Sequence, residues 1–433
     1  MTSAATVEIW GGVEATCRRV GDAYSDQLTR SGHRYRPDDL DRFAELGLRT
    51  LRYPVLWEHV APESLDRPDW RWADERLARL RQLSIEPIVG LVHHGSGPRY
   101  TALYHDTFAP GLARYARLVA ERYPWVTQYT PVNEPLTTAR FSGLYGLWYP
   151  HGHDDRTFVR ILLNELRATR LAMQAIRKVN PAAQLVQTED LGQAHGTPAL
   201  ASQVEFENER RWLTFDILAG RLTPHHPLWS YLRESGATEA ELREFSDDPL
   251  PPDVLGINHY ATGERYLDER LDCYPGQPAL AGRSHPAYVD LPALHVAGVT
   301  PVGLENLLRQ AWDRYGQPLA ITEAHLKCTR EEQMRWLNQE WQAANRLRAS
   351  GVDLRALTVW SLLGAFDWDN LLTQDGASYE PGVFDVRGGW PRPTALHRLV
   401  GSLIRRGHYE HPVLASPGWW QRDIRYQWRA EAA

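Results

Sequence analysis

The sequence predicts an α/β fold, a (β/α)8 TIM barrel built as a single domain with extended βα loops. Three observations carry this expectation. Short β-rich runs alternate with stretches of helical spacing along all 433 residues. Eight such units follow one another without a break, which implies a closed parallel barrel rather than a doubly wound open sheet. No G-x-G-x-x-G follows the first run, which weighs against a dinucleotide-binding sheet.

The eight runs, in order, are VEIWGG (7–12), LRTLRYP (48–54), EPIVGLVHH (86–94), VTQYTPVNEP (126–135), QLVQTED (184–190), DVLGINHY (253–260), PLAITEAH (318–325) and RALTVWSLL (355–363). These short runs, alternating with helical stretches, imply a parallel sheet. Helical spacing appears between them at Pro37 to Glu45, Ala73 to Leu83, Thr107 to Arg122, Thr157 to Val179, Phe206 to Gly220 and Glu331 to Ala349. The connection after the sixth run, roughly 263–300, is rich in Pro, Gly and aromatic residues and is expected to form a wall of the active site. No low-complexity segment, charge run or Gly/Ser linker interrupts the chain, so residues 1–433 are expected to form one domain.

Composition narrows the class of function. The chain is 43% hydrophobic and 24% charged with a formal net charge of -6, an ordinary globular balance without the basic footprint of a nucleic-acid binder. The opening MTSAATVEIWGG has neither a basic nor an apolar segment of a secretory signal, and no stretch is long and apolar enough for a membrane span. Cys17, Cys273 and Cys328 are few, odd in number and far apart, the usage of a reduced cytoplasmic protein. The 17 tryptophans serve either as core fillers or as faces on which sugar rings stack, and composition does not choose between these.

In such a barrel the chemistry sits at the C-terminal ends of the strands. The polar residues there are Glu14, Arg52, His93, His94, Asn133, Glu134, Glu189, Asp190, Asn258, Tyr260, Glu323, Trp360 and Ser361. The set contains carboxylates, one arginine and hydrogen-bonding partners, with no cysteine nucleophile, phosphate loop, or H-x-H or H-E-x-x-H metal cluster. No cofactor is implied. Two carboxylates facing each other across a barrel mouth suit glycoside cleavage, one protonating the leaving oxygen and the other attacking the anomeric carbon or activating water. Position alone leaves several pairs open.

Local motifs go further. Thr130-Pro131-Val132-Asn133-Glu134-Pro135 resembles the T-x-N-E-P signature of glycoside hydrolase family 1, in clan A, and Ile321-Thr322-Glu323 resembles its I-T-E-N-G motif. Trp10-Gly11-Gly12 is similar to the family's opening strand, Arg52 through Trp57 to R-F-S-I-S-W, and Gly143 through Gly152 to its G-Y-x-x-G-x-x-x-P-G loop. Gly256 through Tyr260 is similar to G-I-N-Y-Y, and WSLLGAFDW (360–368) to W-S-L-L-D-N-F-E-W. The resemblance spans nearly the whole chain.

It implies a retaining β-glycosidase acting on a small glycoside or oligosaccharide through a covalent glycosyl-enzyme, with carboxyl groups roughly 5–5.5 Å apart. Glu134 would be the acid/base and Glu323 the nucleophile, kept ionised by Arg52 and Tyr260. Asn133 would bind the sugar 2-hydroxyl, and His93, or His94 one residue on, a ring hydroxyl. Trp360 would be the stacking floor, Asp367 and Trp368 would read the 4- and 6-hydroxyls, and Asn258 would support the strand-six side. Glu189 and Asp190 match no catalytic position of the family and are expected to be supporting residues. The loop carrying Phe141, Tyr145, Trp148 and Tyr149 is expected on the leaving-group side.

Three departures stand out. Arg18 occupies the place of the family's first-strand glutamine, with Glu14 as a nearby substitute. Asp367 replaces the longer Glu of F-E-W. I-T-E-N-G becomes I-T-E-A-H, and D-N-F-E-W becomes G-A-F-D-W. Retained carboxylates beside altered sugar-reading residues point to a modified or deoxy glycone. The competing readings are a transglycosidase with the same residues, a carbohydrate-binding barrel without turnover, and a barrel enzyme using these carboxylates for proton abstraction.

Overall fold

A computed structural model describes residues 6–281 and 286–430. Eight parallel strands close into a barrel: β1 (Glu8–Gly12), β2 (Thr50–Pro54), β3 (Glu86–His93), β4 (Gln128–Asn133), β5 (Gln184–Asp190), β6 (Val254–Tyr260), β7 (Leu319–His325) and β8 (Leu354–Val359). Each pairs with its sequence neighbours, and β1 closes the ring by pairing Glu8 with Ala356 of β8 and Gly12 with Arg52 of β2. All eight coincide with the runs expected from sequence. The eighth is shorter than its apolar run, because β8 ends at Val359 and the chain turns inward at Trp360.

The barrel interior is filled by Trp10, Ile88, Val186, Val254, Ala320 and Ala356, one inward-facing residue from each of six strands. A second and larger core lies outside, between the strands and a ring of helices. Asp39–Leu46, Arg71–Gln82, Phe108–Arg122, Asp155–Arg177 and Arg330–Ala349 match the expected helices to within a few residues. The stretch expected as one helix over 206–220 is two, Ala201–Arg210 and Leu213–Leu218, bent at Arg211 and Trp212. Two further helices complete the ring, Gly303–Tyr315 before β7 and Ala395–Arg406 after β8. No helix among the described residues is long and apolar enough to cross a membrane.

The connection over 263–300 is more ordered than a plain loop, although residues 282–285 of it lie outside the described residues. Its strands Arg265–Asp268 and Val289–Pro292 pair antiparallel, and the first also pairs with Ala194–Gly196 after β5. This small sheet stands over the ends of β5 and β6. After the last helix the chain returns toward the same rim, where Trp428–Arg429 pairs with Val296–Ala297.

Candidate active site

The C-terminal ends of the strands surround a cavity of about 1020 Å³, whose wall includes Glu14, His93, His94, Glu134, Tyr260, Glu323, Trp360 and Trp368. That is at the upper end of the size range for small-molecule sites. Backbone geometry turns these side chains inward. His94 and Glu134, which end β3 and β4, and Asp367 in the loop after β8 have φ of 52°, 46° and 56°. Non-glycine residues seldom adopt such values, and this strain collects at functional sites. The left-handed turn at His94 allows two consecutive imidazoles to face the cavity. On β7 the pairing slips between Ile321 and Glu323, where Ile257 and Asn258 of β6 are adjacent. This bulge re-aims Thr322 and Glu323. A side chain on Gly12 would lie 2.4 Å from the Trp360 ring, so the absence of a Cβ there is what seats the indole against β1.

Each oxygen of Glu323 has its own donor. Arg52 Nη1 is 2.9 Å from Oε1, and the Tyr260 hydroxyl donates to Oε2. The other arginine nitrogen, Nη2, donates to Asn133 Oδ1 at 2.7 Å. Thr188 donates to the same oxygen at 2.8 Å, which fixes the Asn133 amide with Nδ2 toward the ring nitrogens of His93 and His94, 3.3 Å from each. Burial pushes Glu323 up to about 7, with Glu14 acting in the same direction and Arg52 and Tyr260 opposing. Burial and the nearby carboxylates lift the Tyr260 phenol well above its usual range, so it remains a donor.

Glu134 differs. Asn258 Nδ2 donates to its Oε1 at 2.6 Å, and Thr322 Oγ1 donates to Asn258 Oδ1 at 2.7 Å, which orients the amide. Its Oε2 stands 3.3 Å from His94 Nε2. Burial first, then the charge of Glu323, push the Glu134 carboxyl well above the carboxylate range. In this pair the proton therefore resides on Glu134 while Glu323, with an arginine, is the ionised partner. Burial holds the His93 and His94 rings neutral, His94 at about 3. A neutral ring accepting at Nε2 carries its proton on Nδ1, where Thr138 Oγ1 is 2.9 Å from that nitrogen in His94.

Glu189 lies beneath. It accepts from the backbone of Leu136 at 2.8 Å and Thr137 at 3.2 Å, and from the Thr137 and Thr214 hydroxyls at 2.9 and 2.7 Å. It thus caps the short helix Pro135–Ala139 that begins immediately after Glu134. Asp190 reaches the cavity wall, with Arg140 at 3.8 Å.

The sugar-reading side is arranged differently from the family pattern. Asp367, expected to read hydroxyls, is buried and turned away from the cavity. Arg30 donates to its Oδ2, as does Gly376 N at 2.6 Å, and Ser378 N donates to Oδ1 at 3.1 Å. Arg18 is likewise drawn off, with Nη2 on Asp375 at 2.9 Å. Trp360 stacks on His93 at 5.6 Å between ring centres, with the Arg52 guanidinium 4.6 Å from its own ring. The indole nitrogens of Trp360 and Trp368 both donate to Glu14 Oε2, at 3.1 and 3.2 Å.

Toward the mouth, Phe141 and Tyr145 line the wall as expected, but Trp148 is 1% exposed and donates to Leu371 O at 2.8 Å beneath the rim. Tyr149, expected beside them, stacks on Arg19 instead. Several wall residues escaped sequence reasoning. His325 bridges Trp360 O at 2.9 Å and Glu380 at 2.7 Å. Trp419, Ile424, Arg425 and Gln427 reach the wall from the C-terminal segment. The signal for them was a cluster of aromatic and apolar residues after the last helical stretch.

The profile of Glycosyl hydrolase family 1 matches residues 8–375. A 6-phospho-beta-glucosidase of Dickeya chrysanthemi is 26% identical over 390 residues, covering 80% of this chain and 79% of that one. A bifunctional beta-D-glucosidase/beta-D-fucosidase of Bifidobacterium breve is 25% identical over 413 residues, covering 84% and 85%. The Thermotoga maritima beta-glucosidase in complex with deoxynojirimycin shares the fold at a TM-score of 0.75 and 17% identity, covering 94% of this chain and 99% of that one. The chain belongs to glycosyl hydrolase family 1 and is a glycoside hydrolase on a (β/α)8 barrel.

Proposed function

We propose that the protein is a retaining β-glycosidase in which Glu323 is the nucleophile and Glu134 the acid/base. The observation that carries this is the asymmetry of the two carboxyls. Glu323 has Arg52 and Tyr260 on separate oxygens, whereas Glu134 is buried against an amide and a neutral imidazole. In the first step Glu323 bonds to the anomeric carbon as the glycosidic bond breaks, and the leaving oxygen takes the proton of Glu134. In the second, Glu134 removes a proton from water, whose oxygen displaces Glu323 from the anomeric carbon. Asn133 Nδ2 is the donor for the 2-hydroxyl, His93 serves a further hydroxyl, and Trp360 is the floor beneath the ring. A modified glycone fits the engagement of Asp367, whose two oxygens are taken by Arg30, Gly376 N and Ser378 N, and the pairing of Arg18 Nη2 with Asp375.

The leaving-group side is wide and partly apolar, with Tyr145, Leu371 and Ile424 exposed on the wall. This favours an aglycone, or an acceptor in a transfer reaction, with an apolar face. Unpaired Cys17, Cys273 and Cys328 fit a cytoplasmic setting.

A panel of 4-nitrophenyl β-glycosides, including glucoside, fucoside and xyloside, tests the reading beside a Glu323→Gln variant. Nitrophenol release by wild type and its loss in the variant is the expected result. Equal release by both proteins would remove Glu323 from the mechanism, and silence of the wild type on every glycoside would overturn the reading.

A further inference from the structure

Glu14 is 3% exposed, and what little it exposes lies on the wall of the cavity. It accepts four hydrogen bonds, from Thr16 N at 2.9 Å and Thr16 Oγ1 at 2.6 Å on Oε1, and from the indoles of Trp360 at 3.1 Å and Trp368 at 3.2 Å on Oε2. Four donors around two oxygens is the pattern of a carboxylate, which accepts at both. None of the four is charged. No arginine or lysine among the described residues forms an ion pair with Glu14, and its one titratable neighbour at that range is His93 at 3.9 Å, held neutral by burial. The arginines around it are committed: Arg52 to Glu323, Arg18 to Asp375 and Arg30 to Asp367.

The geometry points to a glycone subsite for a cationic, amino-substituted sugar, with Glu14 as its counter-ion; this rests on the glycosidase reading above. Buried charges are ordinarily paired, and here the fold supplies hydrogen bonds without a cation at ion-pair distance among the described residues. His325, which burial lowers and Glu380 and then Glu14 raise above its usual range, is hydrogen-bonded to Glu380 instead. An ammonium brings three donors, no acceptor and the missing charge, whereas a hydroxyl brings no charge and a phosphate or carboxylate is repelled. The same network takes the two indole N–H groups away from a neutral sugar on this side of the cavity, because both donate to Glu14. Glu14 also opposes ionisation of Glu323, so a cation bound beside it would favour the nucleophilic form.

The test uses the full chain and 4-nitrophenyl β-glucosides in which one hydroxyl, at carbon 3, 4 or 6 in turn, is replaced by an amine, beside the parent glucoside and its 6-phosphate. Wild type should prefer at least one amine over the parent by roughly 30-fold or more in kcat/KM, the lower end for a buried charge pair, and should reject the phosphate. In Glu14→Gln the ratio of amine to parent should fall to near one, whatever the variant does to the parent. A merely structural role for Glu14 would lower all substrates alike and leave the ratio unchanged, which overturns the proposal. Calorimetric titration of wild type with the free amino sugars and with glucose separates the two readings. Tighter binding of an amine without turnover would sink the glycosidase mechanism and support the subsite; equal binding would sink the subsite whether or not glycosides are cleaved.

Discussion

Replacing Tyr260 by Phe removes one hydrogen bond and leaves the ring in place, which makes it the cleanest probe of Glu323 as the proposed nucleophile. In the intact site the phenol donates to Glu323 Oε2 while Arg52 holds Oε1 at 2.9 Å. Burial has already raised Glu323 to about 7, so the acid side of the kcat/KM profile should fall near that pH. A hydrogen bond to a charged group contributes about 1.5–3 kcal/mol, and about 1.36 kcal/mol corresponds to one pKa unit. Loss of the phenol should therefore move the acid limb up by roughly one to two units and, since Glu323 is about half ionised at pH 7 beforehand, lower kcat/KM at pH 7 by roughly 5- to 50-fold. The sign follows from the role: below its pKa Glu323 is protonated and cannot attack. The alkaline limb, set by Glu134, should move far less. The assay is kcat/KM from pH 5 to 10 on the best nitrophenyl glycoside, with thermal melts to show that the fold is retained. An acid limb that stays in place while activity falls at every pH would refute the argument, because Tyr260 would then act on something other than the ionisation of Glu323.

Two further outcomes follow from the same geometry. Glu58 is buried with one backbone donor, Gly97 N at 3.0 Å, and no partner for Oε2, and burial lifts it from 4.5 to about 7. The folded state thus holds a proton that the unfolded state releases, so Glu58 contributes a decline in stability between pH 4.5 and 7 of up to about 3 kcal/mol, on top of those from other raised carboxyls such as Glu323. In urea unfolding at pH 5 and 8, Glu58→Gln should show a smaller decline than wild type and be the more stable protein at pH 8; a wild type and variant with parallel pH profiles would contradict it. Glu189→Gln turns an amide N–H toward one of the two backbone donors, Leu136 N or Thr137 N, that start the helix after Glu134, because each sits on a different carboxylate oxygen. A displaced acid should lower kcat by about 100-fold with little change in KM, and an unchanged kcat would show that the cap does not position Glu134.

The fold was legible because its signal is local. Parallel strands buried on both faces appear as apolar runs, and all eight were marked by them. The helix Gly303–Tyr315 was equally readable, since Leu304, Leu307, Leu308 and Ala311 recur at helical spacing, but it directly follows the Pro- and Gly-rich connection and merges with it. Trp419, Ile424 and Arg425 belong to short turns without periodicity, and only their return to Val296–Ala297 brings them to the rim. Within the site, Glu134 and Glu323 lie in motifs of a few consecutive residues. The partner of Asp367 is Arg30, some 337 positions away, and nothing in either segment announces the pairing.

That contrast divides the site physically. The network of Arg52, Asn133, Tyr260, Asn258 and the two glutamates keeps the residue types of the family-like motifs, and in the proposed mechanism its contacts fix a charge or a proton at a reacting atom. Such contacts tolerate little displacement, because a shift of about 1 Å costs about 100-fold in rate. The residues that depart from the family pattern lie together on the other side and are coupled. Glu14 takes the indoles of Trp360 and Trp368, Arg30 takes Asp367, and Arg18 and Arg30 share Asp375. Changing Glu14 alone would leave the two indole N–H groups without their acceptor, and changing Asp367 alone would leave a largely buried Arg30 without its main partner. Asp367→Glu, which restores the family residue, adds a methylene where Arg30 and two backbone N–H groups already close on the carboxylate, so it should not by itself restore reading of a neutral sugar. Sugar recognition on this side therefore has to change as a unit, and that is why the place of Asp367 in a family-like motif did not reveal that its carboxylate is taken up by Arg30 and two backbone N–H groups.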